Sequence, residues 1–185
     1  MTGTEWQQTC HLDPDPRFSP HIGVLVAMMA YARSTTLEAV QGLGTAELDA
    51  VTPASRNSIG MLLAHIAAVD RAYQLLSFGG RDLDPVGDAG VLGGLTMGEE
   101  GPAPTGGRDL DSYLTELAEA RAATLAELER RDDTWLASRL TVPGFAHPEL
   151  HWPTHPWAWF HVMEDEISHR GQIRLIRRAL GAGSP

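Results

Sequence analysis

Between Ile59 and Leu76 the apolar residues Ile59, Leu62, Leu63, Ile66, Val69, Tyr73 and Leu76 recur at steps of three and four. That spacing gathers side chains on one side of an α-helix. Asn57 or Ser58 precedes the stretch as a candidate N-cap, and Gly79-Gly80 ends it. The segment "RDLDSYLTELAEARAATLAELERR" has a second stripe, at Leu110, Tyr113, Leu114, Leu117, Thr124, Leu125 and Leu128, with Glu, Arg and Asp on its other face. An earlier helix, "HIGVLVAMMAYARSTTLEAVQ", is announced by Ser19-Pro20, a hydroxyl cap with proline at the first helical position, and stops at Gly42. The last helix starts around His155-Pro156 and continues to Leu180, with Gly181 after it.

Two intervals lack this periodicity. Residues 79–107 are too rich in Gly and Pro for a stable element, and their length suits a crossover or a lid. "TWLASRLTVPGFAHPELHWPTHP" is irregular, with a short extended piece at "RLTV". "GTAELDAV" reads as a short turn, helical at most, broken by Pro53. Neither an alternating strand of useful length nor an internal repeat is present. The expected fold is all-α: a single domain over residues 1–185, with an irregular leader at 1–18 and four long helices. These make a four-helix bundle in which 79–107 crosses over between helices two and three.

The last helix differs from the others in having two apolar sides. At about 100° per residue, Trp157, Phe160, Met163, Ile167, Gly171 and Leu175 fall on one side, while Val162, Asp165, His169, Ile173, Ile176 and Leu180 fall roughly opposite. A helix of this kind is expected to be buried on both sides, which also points to a homodimer interface. It places Asp165 among apolar neighbours, where a carboxylate needs a cation: an arginine, a protonated histidine or a metal ion.

Composition narrows the partners. There are 24 acidic residues against 14 basic ones, all arginine, for a formal net charge of −10. That argues against nucleic acid or an anionic membrane as a direct partner. No apolar run approaches the roughly 18 residues of a membrane span, and the N-terminus has no basic-then-apolar signal pattern; a cytoplasmic location is expected. Cys10 is alone, which leaves histidine and carboxylate as the available metal ligands. No nucleophile elbow, phosphate loop or dinucleotide fingerprint occurs.

The candidate chemistry lies in "HVMEDEISHRGQ", which carries two histidines and three carboxylates. Asp165 and His169, at i and i+4, can reach one ion. His65, at the border of the helix-two stripe, is a third candidate, although its position alone favours a core-edge histidine satisfied by hydrogen bonds. His147, His151 and His155 also recur every four residues, but prolines within "HPELHWPTHP" bar a shared helical face and argue against a second metal site. Trp152, Trp157 and Trp159 are candidates for pocket walls or for packing.

"SIGMLLAHIAAVDR", followed much later by "HVMEDEISHRGQIRLIRR", resembles the two signature segments of the DinB/YfiT-like superfamily of metalloenzymes, with "SHRGQI" the most specific piece. The likeness covers most of the chain from about Ala30 on, apart from the long loop. It implies an up-down-down-up four-helix bundle and a metal triad that falls on His65, Asp165 and His169. Where the family carries His or Glu this chain has Asp165, and Glu166 and His161 are the alternative third ligands. Two imidazoles and one carboxylate suit zinc, nickel or iron, and three protein ligands leave positions open for water or substrate. The resemblance implies a small-molecule substrate and a transferase or isomerase that uses a low-molecular-weight thiol such as mycothiol as co-substrate. A metal-dependent hydrolase, or a non-catalytic stress-response or binding module, is the alternative.

Overall fold

The computed structural model describes residues 12–97, 106–142 and 153–181, and those residues are mostly helical with no strand among them. Their extended pairings are isolated bridges, Thr52 with Ser55 and Arg139 with Thr154. The elements are α1 (Pro20–Val40), α2 (Thr45–Asp49), α3 (Ile59–Tyr73), α4 (Ala89–Leu95), α5 (Leu110–Leu128), α6 (Asp133–Leu136) and α7 (His155–Ala179). Cys10, His147, His151, Trp152 and residues 98–105 of the 79–107 interval lie outside the described residues.

Three of the long helices start on side-chain caps. Ser58 accepts from the Met61 amide and starts α3, Asp109 does the same for α5 through Ser112, and Thr154 for α7 through Trp157. Ser19, by contrast, donates its hydroxyl to Asp133 Oδ1 at 2.6 Å. The Asp133 carboxylate then accepts the amides of His21 and Ile22, so the first free N–H groups of α1 are capped from α6. At the other end of α1, Gly42 takes φ +76°, the left-handed conformation that ends many helices. α3 continues through one π-helical turn, Gln74–Phe78, closed by the Gly79 amide on the Gln74 carbonyl.

α3 is more deeply enclosed than a single stripe requires. Besides its large apolar residues, the small residues Ala64, Ala67, Ala68 and Ala72 are buried, because α3 packs against α5, α7, α2 and α4. The contact with α4 corrects the expectation that residues 79–107 hold no stable element. "AGVLGGL" has little intrinsic helix preference, yet Ala89–Leu95 is helical because it docks on the alanine side of α3. α6, Asp133–Leu136, likewise forms where the sequence pattern reads as irregular.

Within a single chain α7 is buried mainly on one of its two apolar sides. Ile173, Ile176, Val162 and His169 are buried, but on the other side Trp157, Phe160 and Leu175 are 44%, 49% and 48% exposed. There Met163 is buried and Ile167 packs against the core from its edge.

The buried apolar residues fall into two clusters. The first joins Ile22, Val26, Met29, Val69, Tyr73, Leu128, Trp159 and Met163; the second joins Leu43, Leu48, Ile59, Leu62, Leu63, Tyr113, Leu117, Ile173 and Ile176. Along α1 and α7 the chain passes from the first cluster to the second, and along α3 and α5 from the second to the first. At the crossing point each helix contributes one charged residue: Arg33, Asp70, Arg121 and Glu166. Arg33 Nε donates to Glu166 Oε1 at 2.7 Å, Arg121 Nη2 to Glu166 Oε2 at 3.0 Å, and Arg121 Nε to Asp70 Oδ2 at 3.1 Å. Thr124 donates to the remaining Asp70 oxygen at 3.0 Å, and the arginines also donate to the carbonyls of Leu117 and Met29. The quartet is charge-balanced and its hydrogen-bonding groups are engaged, the condition under which buried ions are tolerable.

Candidate metal centre

His65 stands in the middle of α3, and Asp165 and His169 lie one turn apart on α7, which packs against it. Asp165 Oδ1 is 3.5 Å from His65 Nε2 and 3.3 Å from His169 Nε2. One donor atom from each residue falls within 4.8 Å of the others, and the two rings meet edge-on with centroids 4.7 Å apart. The spacing of Asp165 and His169 placed them on one side of α7; the packing of α3 against that side supplies His65.

The alternatives to Asp165 are drawn elsewhere. Glu166 points into the charged quartet and is held by Arg33 and Arg121. His161 stacks on Trp157, with rings parallel within 2° and centroids 5.4 Å apart, and its nearest carboxylate is Glu164 at 3.8 Å. His155 is not near the triad. Its Nδ1 lies at hydrogen-bond distance, 2.8 Å, from the Ser77 hydroxyl, Trp159 Nε1 donates to that same hydroxyl, and burial followed by the charge of Arg131 lowers its pKa. Trp159 is therefore a core residue, and Trp157 braces His161.

The electrostatics of the triad are those of one carboxylate shared by two imidazoles. Burial works against ionisation of Asp165, but hydrogen bonds with His169 and His65 outweigh it and hold the carboxyl well below the usual range. For His65, burial works against the charged ring, and the hydrogen bond and charge of Asp165 reverse the balance to raise its pKa. His65 Nδ1 lies 3.0 Å from the Gly94 carbonyl. A carbonyl only accepts, so Nδ1 carries the proton and Nε2 presents its lone pair toward Asp165 when the ring is neutral.

Two polar atoms of the triad remain unsatisfied. Asp165 Oδ2 and His169 Nδ1 are buried without a hydrogen-bond partner. A buried carboxylate oxygen without a donor is costly, and a cation beside Asp165 would remove that deficit. The donor set, the Nε2 orientation of His65 and the orphaned oxygen all fit a divalent metal.

A cavity of about 360 Å³ opens onto His65 and Asp165. α3 lines it with His65, Val69, Ala72, Tyr73 and Leu76, the 80–95 segment with Asp82, Leu83 and Leu95, and α7 with His161 and Asp165. Tyr73 is pushed up to about 12, by burial first and then by the Asp165 charge, so it remains a phenol at neutral pH. Sequence periodicity gave a partial sign of this wall, since His65, Val69, Ala72 and Leu76 follow one another at helical steps of four, three and four. Nothing in the local pattern marks Asp82, Leu83 or Leu95.

With fold and site in view, comparison with known proteins identifies the class. A family model described as mycothiol-S-transferase matches residues 24–182. The chain belongs to that family, which is of the DinB/YfiT-like kind. No curated protein matches the chain. Among the described residues no helix is long and apolar enough to cross a membrane.

Proposed function

We propose that this protein is a metal-dependent transferase that joins the thiol of mycothiol to a small electrophile. His65, Asp165 and His169 hold the cation at the base of the cavity. The observation that supports this most directly is Asp165 Oδ1 flanked by two imidazole nitrogens while Oδ2 is left buried and unpartnered. Two nitrogen donors and one carboxylate favour zinc or nickel, with iron also accommodated. When bound, such a cation supplies acidification of a thiol, so that the nucleophilic thiolate predominates near neutral pH. The chain's residues do the rest. The Gly94 carbonyl keeps the His65 proton on Nδ1, and Val69, Ala72, Leu76, Leu83 and Leu95 give the cavity an apolar wall that limits water around the reacting groups. Tyr73, un-ionised at neutral pH, serves that wall as a phenol.

The same proposal takes α1, α3, α5 and α7 as an up-down-down-up four-helix bundle forming one domain. It is supported by the order in which each helix visits the two apolar clusters and by the charged quartet that draws one residue from each.

Mass spectrometry of the purified protein after incubation with zinc or nickel tests the site. About one metal per chain is expected in the parent, and none in His65→Ala or His169→Ala. The metal-loaded parent should conjugate mycothiol to an electrophile faster than the metal-free protein. Metal-independent conjugation, or a parent that takes up no metal, would reject the reading.

A further inference from the structure

The His65 orientation depends on a segment remote in sequence from every candidate ligand. α4 ends beside α3, and the Gly94 carbonyl, in its last turn, accepts the Nδ1 proton of His65 at 3.0 Å along with the Met97 amide at 3.3 Å. The closing carbonyls of a helix lack internal partners and favour an outside donor. The distance is set by how closely two backbones approach. A Cβ built on Gly94 would lie 2.5 Å from Ala68 Cβ and 3.5 Å from the Ala64 carbonyl oxygen. The Ala68 carbon is fixed to the α3 backbone and has no rotamer by which to move aside. Gly94 itself has a backbone conformation open to any L-residue, so the obstacle to a side chain there is Ala68 alone. Gly90, four residues earlier in α4, faces open space.

We propose that Gly94 is a positioning residue for the metal centre. Its missing side chain lets α4 seat on Ala68, and its carbonyl then fixes the His65 tautomer and ring so that Nε2 faces Asp165 and His169. The same seating brings Leu95 into the cavity wall beside His65. The positioning role rests on the hydrogen bond and the close approach, and its consequence for metal binding rests on the metal reading above.

Three variants test it: Gly94→Ala, the pair Gly94→Ala with Ala68→Gly, and Gly90→Ala. Two readouts are taken: nitrogen-15 NMR of the His65 ring in metal-free protein, and zinc affinity by competition with a chromophoric chelator. In the parent and in Gly90→Ala the neutral ring is expected to carry its proton on Nδ1. In Gly94→Ala the proton should distribute over both nitrogens, with zinc affinity about 10- to 100-fold weaker, the usual cost of losing a ligand's outer hydrogen bond. Removing the opposing methyl in the double variant should return the proton to Nδ1 and recover most of the zinc affinity lost in Gly94→Ala, because residues in contact compensate each other. Gly94→Ala with an unchanged His65 tautomer, or a double variant no better than the single one, would overturn the proposal. If His65 loses its fixed tautomer in Gly94→Ala while the parent itself binds no zinc, the positioning role stands and the metal reading fails.

Discussion

Asp165 and Glu166 are neighbours on one helix, and both are carboxylates set among basic groups inside the protein, yet they are used differently. Glu166 is 1% exposed, and both of its oxygens are taken by guanidinium groups from α1 and α5. Asp165 has softer partners, two imidazoles sharing a single oxygen, while its second oxygen has no donor and it borders a cavity. The first arrangement is saturated and can accept nothing more. The second is short of one positive charge and has room to receive it. Burial of charge is common to both; incomplete satisfaction beside a cavity is what separates Asp165 from Glu166.

The comparison breaks most sharply if the quartet is disrupted. Arg121→Ala leaves Asp70 and Glu166 each short of a partner, and chemical denaturation should show a loss of about 3–5 kcal/mol, the usual cost of stranding a buried charge. Asp165→Asn is expected to do the reverse: metal uptake measured by mass spectrometry should vanish, while the unfolding free energy of the metal-free protein at pH 8 changes by no more than about 1 kcal/mol. Equal destabilisation by the two changes would erase the distinction.

The pH dependence sharpens it. His65 has a raised folded pKa, so its stabilising contribution is full below its unfolded value of about 6.5 and is lost as pH rises through the folded value; Asp165 has a lowered one, so its contribution is present above about 3.9 and lost as pH falls. The metal-free triad thus stabilises most between roughly pH 4 and 6.5. Zinc requires His65 to release its proton, so the gap between thermal midpoints with and without zinc should widen from pH 5.5 to pH 8. A gap that narrows over that interval would place the cation elsewhere. The smallest effect belongs to a third carboxylate, Asp133, which caps α1 from the partly exposed end of α6. Asp133→Ala should lower the denaturation free energy by about 1 kcal/mol, as for an ordinary helix cap, without changing zinc affinity.

Much of this was legible in the chain. The boundaries of α1, α3, α5 and α7 follow from Ser19-Pro20, Ser58, Gly42 and Gly181 and from the three-and-four spacing, because caps and amphipathic stripes are local signals. Asp165 and His169 share a side of α7 by helical geometry, and the likeness carried by "SHRGQI" is consistent with the family that matches residues 24–182. Tertiary structure decided the remainder. Successive residues on a helix differ in direction by about 100°, so whether Asp165 or Glu166 meets His65 depended on where α1, α3 and α5 come to rest against α7. The charged quartet draws one residue from each of four separated segments, and no local pattern encodes that meeting. α4 forms from a glycine-rich stretch because α3 offers it a surface of alanines, and its Gly94 carbonyl reaches His65 only because two backbones approach more closely than any side chain at that position would permit.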